Sequence, residues 1–163
     1  MGWGIAVVVV ALLVGLDVGS RRWRTRRHRA LRAGGRNVWR ATVPLEVFLR
    51  FQERGSWLSW VRDVVPADVE LDDNGVHIRP VPRYASRGFS ALDIGWQQVH
   101  DIGSEDLGHV RPDGSLTTKR AYAVQITTHQ SLPIRVVLDE PPNELLSRAG
   151  GYRAANRAQH RTR

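Results

Sequence analysis

An almost unbroken apolar run, Trp3 to Val18, is followed at once by Arg21-Arg22-Trp23-Arg24-Thr25-Arg26-Arg27-His28-Arg29. No other feature of this sequence limits the fold so strongly. The sixteen residues carry one charge, Asp17, and as a helix cover roughly 24 Å, against a hydrocarbon core of about 30 Å. Trp3 and Trp23 lie twenty residues apart, roughly 30 Å along a helix, which suits one indole in each interfacial belt. The pattern predicts a transmembrane helix over residues 1–20. A cleaved signal peptide would need a basic stretch before the run, and Met1-Gly2-Trp3-Gly4 has none. Positive charge on one side only orients the span, with the N-terminus outside and the remainder cytoplasmic in a single-pass cell-membrane protein. Arg21, Arg22, Arg24, Arg26, Arg27 and Arg29 are then expected at anionic lipid headgroups, with Trp3 and Trp23 as interfacial anchors. Ala11 and Gly15 form a small-xxx-small pair that permits a weak helix-mediated homodimer.

Charge divides the rest. Residues 1–40 hold nine arginines and one aspartate, residues 41–147 hold ten basic and fifteen acidic residues, and residues 148–163 hold five arginines and no acid. The high overall basicity therefore belongs to the two ends. A nucleic-acid-binding face would normally belong to the folded domain, here net negative, so nucleic acid is not the expected partner. A reading in which the two arginine-rich ends hold nucleic acid remains as an alternative. There is no cysteine, which excludes disulfides and thiolate metal sites.

Gly34-Gly35 is a helix stop, and residues 21–41 read as a basic linker to one domain over residues 42–148, with a basic, disordered tail over residues 149–163. Residues 42–65 fit either strand or helix. Beyond Pro66, Val69 and Leu71 lead through Asp72-Asp73-Asn74-Gly75 to Val76 and Ile78, a hairpin in which Asn-Gly suggests positive φ at both turn residues. Residues 80–90 read as a loop. A strand from Phe89 runs into Trp96 and on to Ile102, and glycines at 103, 108 and 114 suggest a loop or a long hairpin connection. Tyr122, Val124, Ile126 and Thr128 alternate, as do Ile134, Val136 and Leu138, giving a second hairpin. Asp139 is placed to cap a last helix, with Pro141 and Pro142 in its first turn and Gly150-Gly151 at its end.

Hairpin, then Ile94-Gly95-Trp96-Gln97-Gln98-Val99-His100-Asp101-Ile102, then the Ala121 to Leu138 hairpin and the Leu145-Leu146 helix: this order resembles the bacterial pleckstrin-homology-like and GRAM-like domains over roughly residues 66–148. The resemblance implies an α+β fold: a mostly antiparallel, PH-like partial barrel with a C-terminal helix, behind the transmembrane helix. It further implies a binding or scaffolding module of a high-GC Gram-positive bacterium, recruiting a protein partner at the inner leaflet without catalysis or cofactor. Asp72-Asp73 stands where eukaryotic members carry a Lys/Arg cluster, so phosphoinositide binding is not carried over.

Chemistry offers one competitor. His100, Asp101, Glu105, Asp106 and His109 cluster in sequence and could form a His/carboxylate site in a membrane-bound enzyme. No metal-ligand spacing, nucleophile elbow or phosphate-binding glycine loop occurs. The enzyme reading requires His100, Asp101, Glu105 and His109 to converge in one pocket.

Overall fold

The computed structural model describes residues 23–50, 64–86, 88–110, 116–129 and 133–161. They fall into two units, one ending at Arg36 and one running from Asn37 to Arg163. In the first, residues 23–33 form a helix, α1. It ends where the Gly-Gly pair predicts. Arg36 N–H donates to Leu31 O at 3.1 Å and Gly35 N–H to Arg32 O at 2.9 Å, with Gly35 at φ +78°. This is a Schellman motif, and it needs a left-handed residue at that position.

The fold class expected from the apolar run is corrected here. No helix among the described residues is long and apolar enough to cross a membrane. That finding stands against the membrane, transmembrane-helix and single-pass readings and against a cell-membrane localisation with the N-terminus outside. Residues 1–20, expected to span, and the Ala11–Gly15 pair lie outside the described residues. The described part of the basic block, residues 23–33, is helical and carries Arg24, Arg26, Arg27, Arg29 and Arg32.

The second unit is a seven-stranded antiparallel sheet with a C-terminal helix. Its elements are β1 (Asn37–Pro44), α2 (Leu45–Arg50), β2 (Val64–Leu71), β3 (Gly75–Pro80), α3 (Pro82–Ala85), β4 (Leu92–Gly95), β5 (Val99–Val110), β6 (Leu116–Thr128), β7 (Ile134–Leu138) and α4 (Asn143–Arg161). The strand order is β4-β3-β2-β1-β7-β6-β5. β1 joins the two meanders, pairing Trp39 with Val69 on one side and Ala41 with Leu138 on the other. It buries Trp39, Ala41 and Val43 on its core face, and Val38 is buried as well, while Arg40, Thr42 and Pro44 between them stay partly exposed. One core holds Trp39, Val43, Phe48, Val65, Val69, Ile78, Ile126, Val136 and Leu145. Burying each large apolar side chain contributes about 1.5–3 kcal/mol before conformational entropy is subtracted.

The Asp72–Gly75 turn exists, but for another reason than Asn-Gly geometry. No non-glycine residue described has positive φ, and Gly75 is not among the glycines that do. A Cβ on Gly75 would stand 2.1 Å from Ile94 O. Glycine is required there because β4 passes against it, with Gly95 as its register partner. Asp72 shapes the turn by accepting the N–H groups of Asn74 (2.8 Å) and Gly75 (3.1 Å) on Oδ1.

α4 also departs from expectation. It begins at Asn143, where Leu146 N–H donates to Pro142 O, and it continues through Gly150-Gly151 to Arg161. Two mid-helix glycines cost about 1 kcal/mol each. The next residue offsets this: Tyr152 stacks on Trp96 with ring centroids 5.7 Å apart, and its hydroxyl accepts a hydrogen bond from Asn37 Nδ2 at 2.8 Å. Trp96 is itself buried and donates from Nε1 to Asp72 O at 2.8 Å, so the β2–β3 turn is tied through one indole to α4.

Candidate functional site

Strand period places alternate β5 residues on one face, and Asp101, Gly103 and Glu105 share it. Their register partners on β6 are Thr127, Gln125 and Ala123, and Gln125 in turn faces Arg135 on β7. These seven residues, with Ser104, line a cleft of about 260 Å³. The hollow exists because Gly103 has no side chain: a Cβ there would meet nothing within 4 Å. Ion pairs frame it. Glu105 lies 2.9 Å from Arg135 Nη2, and Asp101 lies 3.7 Å from Arg153 Nη1, reaching across from α4. Arg153 Nη2 also donates to His100 O at 2.5 Å. On the opposite face Asp106 pairs with Arg120 at 3.4 Å.

β5 is also the last strand of the sheet, and among the described residues none pairs with its outer edge. A free edge presents unpaired backbone donors and acceptors. From Asp101 to Asp106 the register against β6 is unbroken. Beyond it a bulge intervenes at Gly108, at φ +62°, whose N–H donates to Asp106 Oδ1 at 2.7 Å. The regular part of the edge is therefore six residues long, closed at one end by Arg153 on the His100 carbonyl and at the other by the bulge.

A second polar constellation lies on β2–β4. His77 of β3 faces Asp93 of β4 in register. Its Nδ1–H donates to Asp93 Oδ1 at 2.5 Å and its Nε2–H to Asp72 Oδ1 at 2.9 Å. Ionised carboxylates only accept, so the doubly protonated imidazolium is the form of His77 that satisfies both contacts. Partial burial pushes the His77 pKa down, but the hydrogen bonds and charges of Asp93 and Asp72 outweigh it and leave the pKa above its ordinary 6.5. Asp72 is the mirror case. Partial burial pushes its pKa up, while hydrogen bonds from His77, Asn74 and Gly75 and the His77 charge hold it below 3.8. Arg79 adds longer contacts, 3.6 Å to Glu70 and 3.9 Å to Asp93.

The residues expected for an enzyme do not converge. Asp101 and Glu105 line the cleft, whereas the exposed His100 ring packs edge-on against His129 at 5.1 Å. His109 lies past the Gly108 bulge and does not line the cleft. Among the described residues no group of three or more His, Cys, Asp or Glu could hold a metal ion. Of the residues expected at a lipid surface, Trp3, Arg21 and Arg22 lie outside the described residues. Trp23, Arg24, Arg26, Arg27 and Arg29 lie on α1. Trp23 is half-exposed, with the Arg27 guanidinium 5.8 Å over its ring. Sequence reading missed Gly103, Gln125, Thr127 and Arg135 as a group, because only strand register unites them. It also missed the pairing of His77 with Asp93, sixteen residues away. Comparison with family models, with curated proteins and with solved structures finds no match for this chain.

Proposed function

We propose that this chain is a non-catalytic binding module of pleckstrin-homology-like architecture that recruits a protein partner by strand addition along β5. The strand order supports the architecture: a four-stranded meander and a three-stranded meander meet through the β1–β7 pair, and a helix follows the last strand. The observation that carries the binding reading is the regular edge of β5 from Asp101 to Asp106, with which no strand among the described residues pairs. Main-chain hydrogen bonds to such an edge supply affinity, and the flanking side chains supply selectivity. Separation of His100 and His109 from Asp101 and Glu105 favours binding over catalysis.

The test is selection of extended peptides against the full-length protein, followed by N-methylation of each peptide amide in turn. Strand addition predicts loss of binding at every second amide and tolerance between, with hydrogen-exchange protection gained at residues 101–106. Peptides whose binding shows no two-residue period, or whose protection falls elsewhere, would refute it.

A further inference from the structure

Along β5 itself the edge is acidic, with Arg153 at its His100 end and Arg135 and Arg120 on the strands behind it. β5 carries Asp101, Glu105 and Asp106 and no lysine or arginine. The cations that answer these acids stand on other elements: Arg135 on β7, Arg120 on β6 and Arg153 on α4. All three carboxylates stay open to water, with side-chain exposures of 67% for Asp101, 68% for Glu105 and 47% for Asp106. A strand laid against β5 would lie about 4.8 Å away, so its side chains meet these acids before the cations of the strands behind. Asp101 and Glu105 are four residues apart on one face, roughly 13 Å, and an added strand repeats that spacing. The cleft over Gly103 lies between them and leaves room for long side-chain stems.

We infer that the occupant of this edge is an extended protein segment bearing arginine or lysine at two positions four residues apart, set against Asp101 and Glu105. This rests on the strand-addition reading above and adds the partner's chemistry. The closed ends limit the paired segment to about six residues, an ordinary strand length. A second copy of β5 is a poor occupant. Antiparallel pairing centred on Gly103 would set Asp101 of one copy opposite Glu105 of the other, and like charges directly opposite are destabilising.

The experiment titrates isotope-labelled full-length protein with three capped pentapeptides, Arg-Val-Thr-Val-Arg, Gln-Val-Thr-Val-Gln and Glu-Val-Thr-Val-Glu, read by amide chemical shifts. The arginine peptide is expected to shift the amides of residues 101–106 and to bind about tenfold tighter than the glutamine peptide, with the glutamate peptide weakest. High salt should close that gap, as should the paired substitution Asp101→Asn and Glu105→Gln. Equal binding of the arginine and glutamine peptides at these amides would overturn the charge selection and leave strand addition standing. Shifts confined to other residues, or none up to millimolar peptide, would overturn both. Concentration-dependent shifts at residues 101–106 without peptide would assign the edge to a second copy instead.

Discussion

His77 should make the stability of this protein depend on pH in a window set by its two carboxylate partners. Its folded pKa is raised above 6.5, so the stabilisation is fully present below about pH 6.5 and is lost as pH rises through the folded value. Asp72 bounds the window from below. Its folded pKa is lowered from 3.8, so its contribution is present above that value and fades as pH falls through the lower folded one. Between roughly pH 4 and 6.5 both contributions act together. Asp72 and Asp93 are half-exposed, with side-chain exposures of 45% and 60%. Solvent screening therefore holds each pair near the surface range, up to about 1 kcal/mol, for a total of roughly 1–2 kcal/mol. Loss of that amount lowers Tm by several degrees in a domain of this size.

The assay is denaturant unfolding of the wild type and of His77→Gln at pH 5.5, 7.0 and 8.5. Glutamine keeps a polar side chain but cannot carry the charge. Other histidines titrate over the same range, and the difference between the two proteins cancels them. The wild-type advantage should be about 1–2 kcal/mol at pH 5.5 and should shrink toward zero by pH 8.5. Parallel curves for the two proteins would refute the reasoning, as would a nitrogen NMR spectrum showing neutral His77 at pH 5.5.

Three further outcomes follow from local geometry. Gly75→Ala should cost at least about 2 kcal/mol in chemical unfolding, because its Cβ would meet the Ile94 carbonyl at 2.1 Å, whereas Gly103→Ala, with open space around it, should be neutral or stabilising by up to about 1 kcal/mol. Gly108→Ala should cost about 1–2 kcal/mol, since φ +62° is a left-handed conformation, and equal stability with the wild type would count against the bulge. Tyr152→Ala removes the Trp96 stack and the Asn37 hydrogen bond, together about 2–3 kcal/mol, and should speed amide exchange over residues 152–158 as α4 frays from Gly150-Gly151; unchanged exchange there would contradict the anchoring role.

What could be read from the sequence was local and periodic. The β2–β3 and β6–β7 hairpins follow from alternation within a few residues of a turn, and the register pairs Leu71 with Val76 and Ile126 with Ile134. β1 was not legible. It is a central strand without a turn signal beside it, and its partner Leu138 lies almost a hundred residues downstream of Ala41. Gly103 and Gly108 interrupt the sequence signal of β5, although one marks a hollow in a continuous strand and the other a bulge. Gly150-Gly151 reads as the end of α4 because propensity is a local quantity, and the Tyr152 contacts that outweigh it are tertiary. The candidate site was half legible. Asp101 and Glu105 have the even spacing of a shared strand face, and His100 the odd spacing that excludes it, but Gln125, Thr127 and Arg135 join them only once register is known.

The charges on β5 serve two ends with one set of residues. An unpaired strand edge invites pairing with any extended chain, its own copies included, and charge on that edge is a common defence. Placing only carboxylates among the charged groups of β5 itself discourages self-pairing and acidic strands, and it favours basic partners. The bulge at Gly108 and the Arg153 contact to the His100 carbonyl shorten the exposed edge to the segment where those carboxylates stand. Protection and recognition therefore predict opposite effects for the same change. Replacing Asp101 and Glu105 with asparagine and glutamine should weaken capture of basic segments and strengthen concentration-dependent self-association. If instead the variant loses neither selectivity nor monomeric behaviour, the carboxylates are ordinary solvated surface and both roles are withdrawn together.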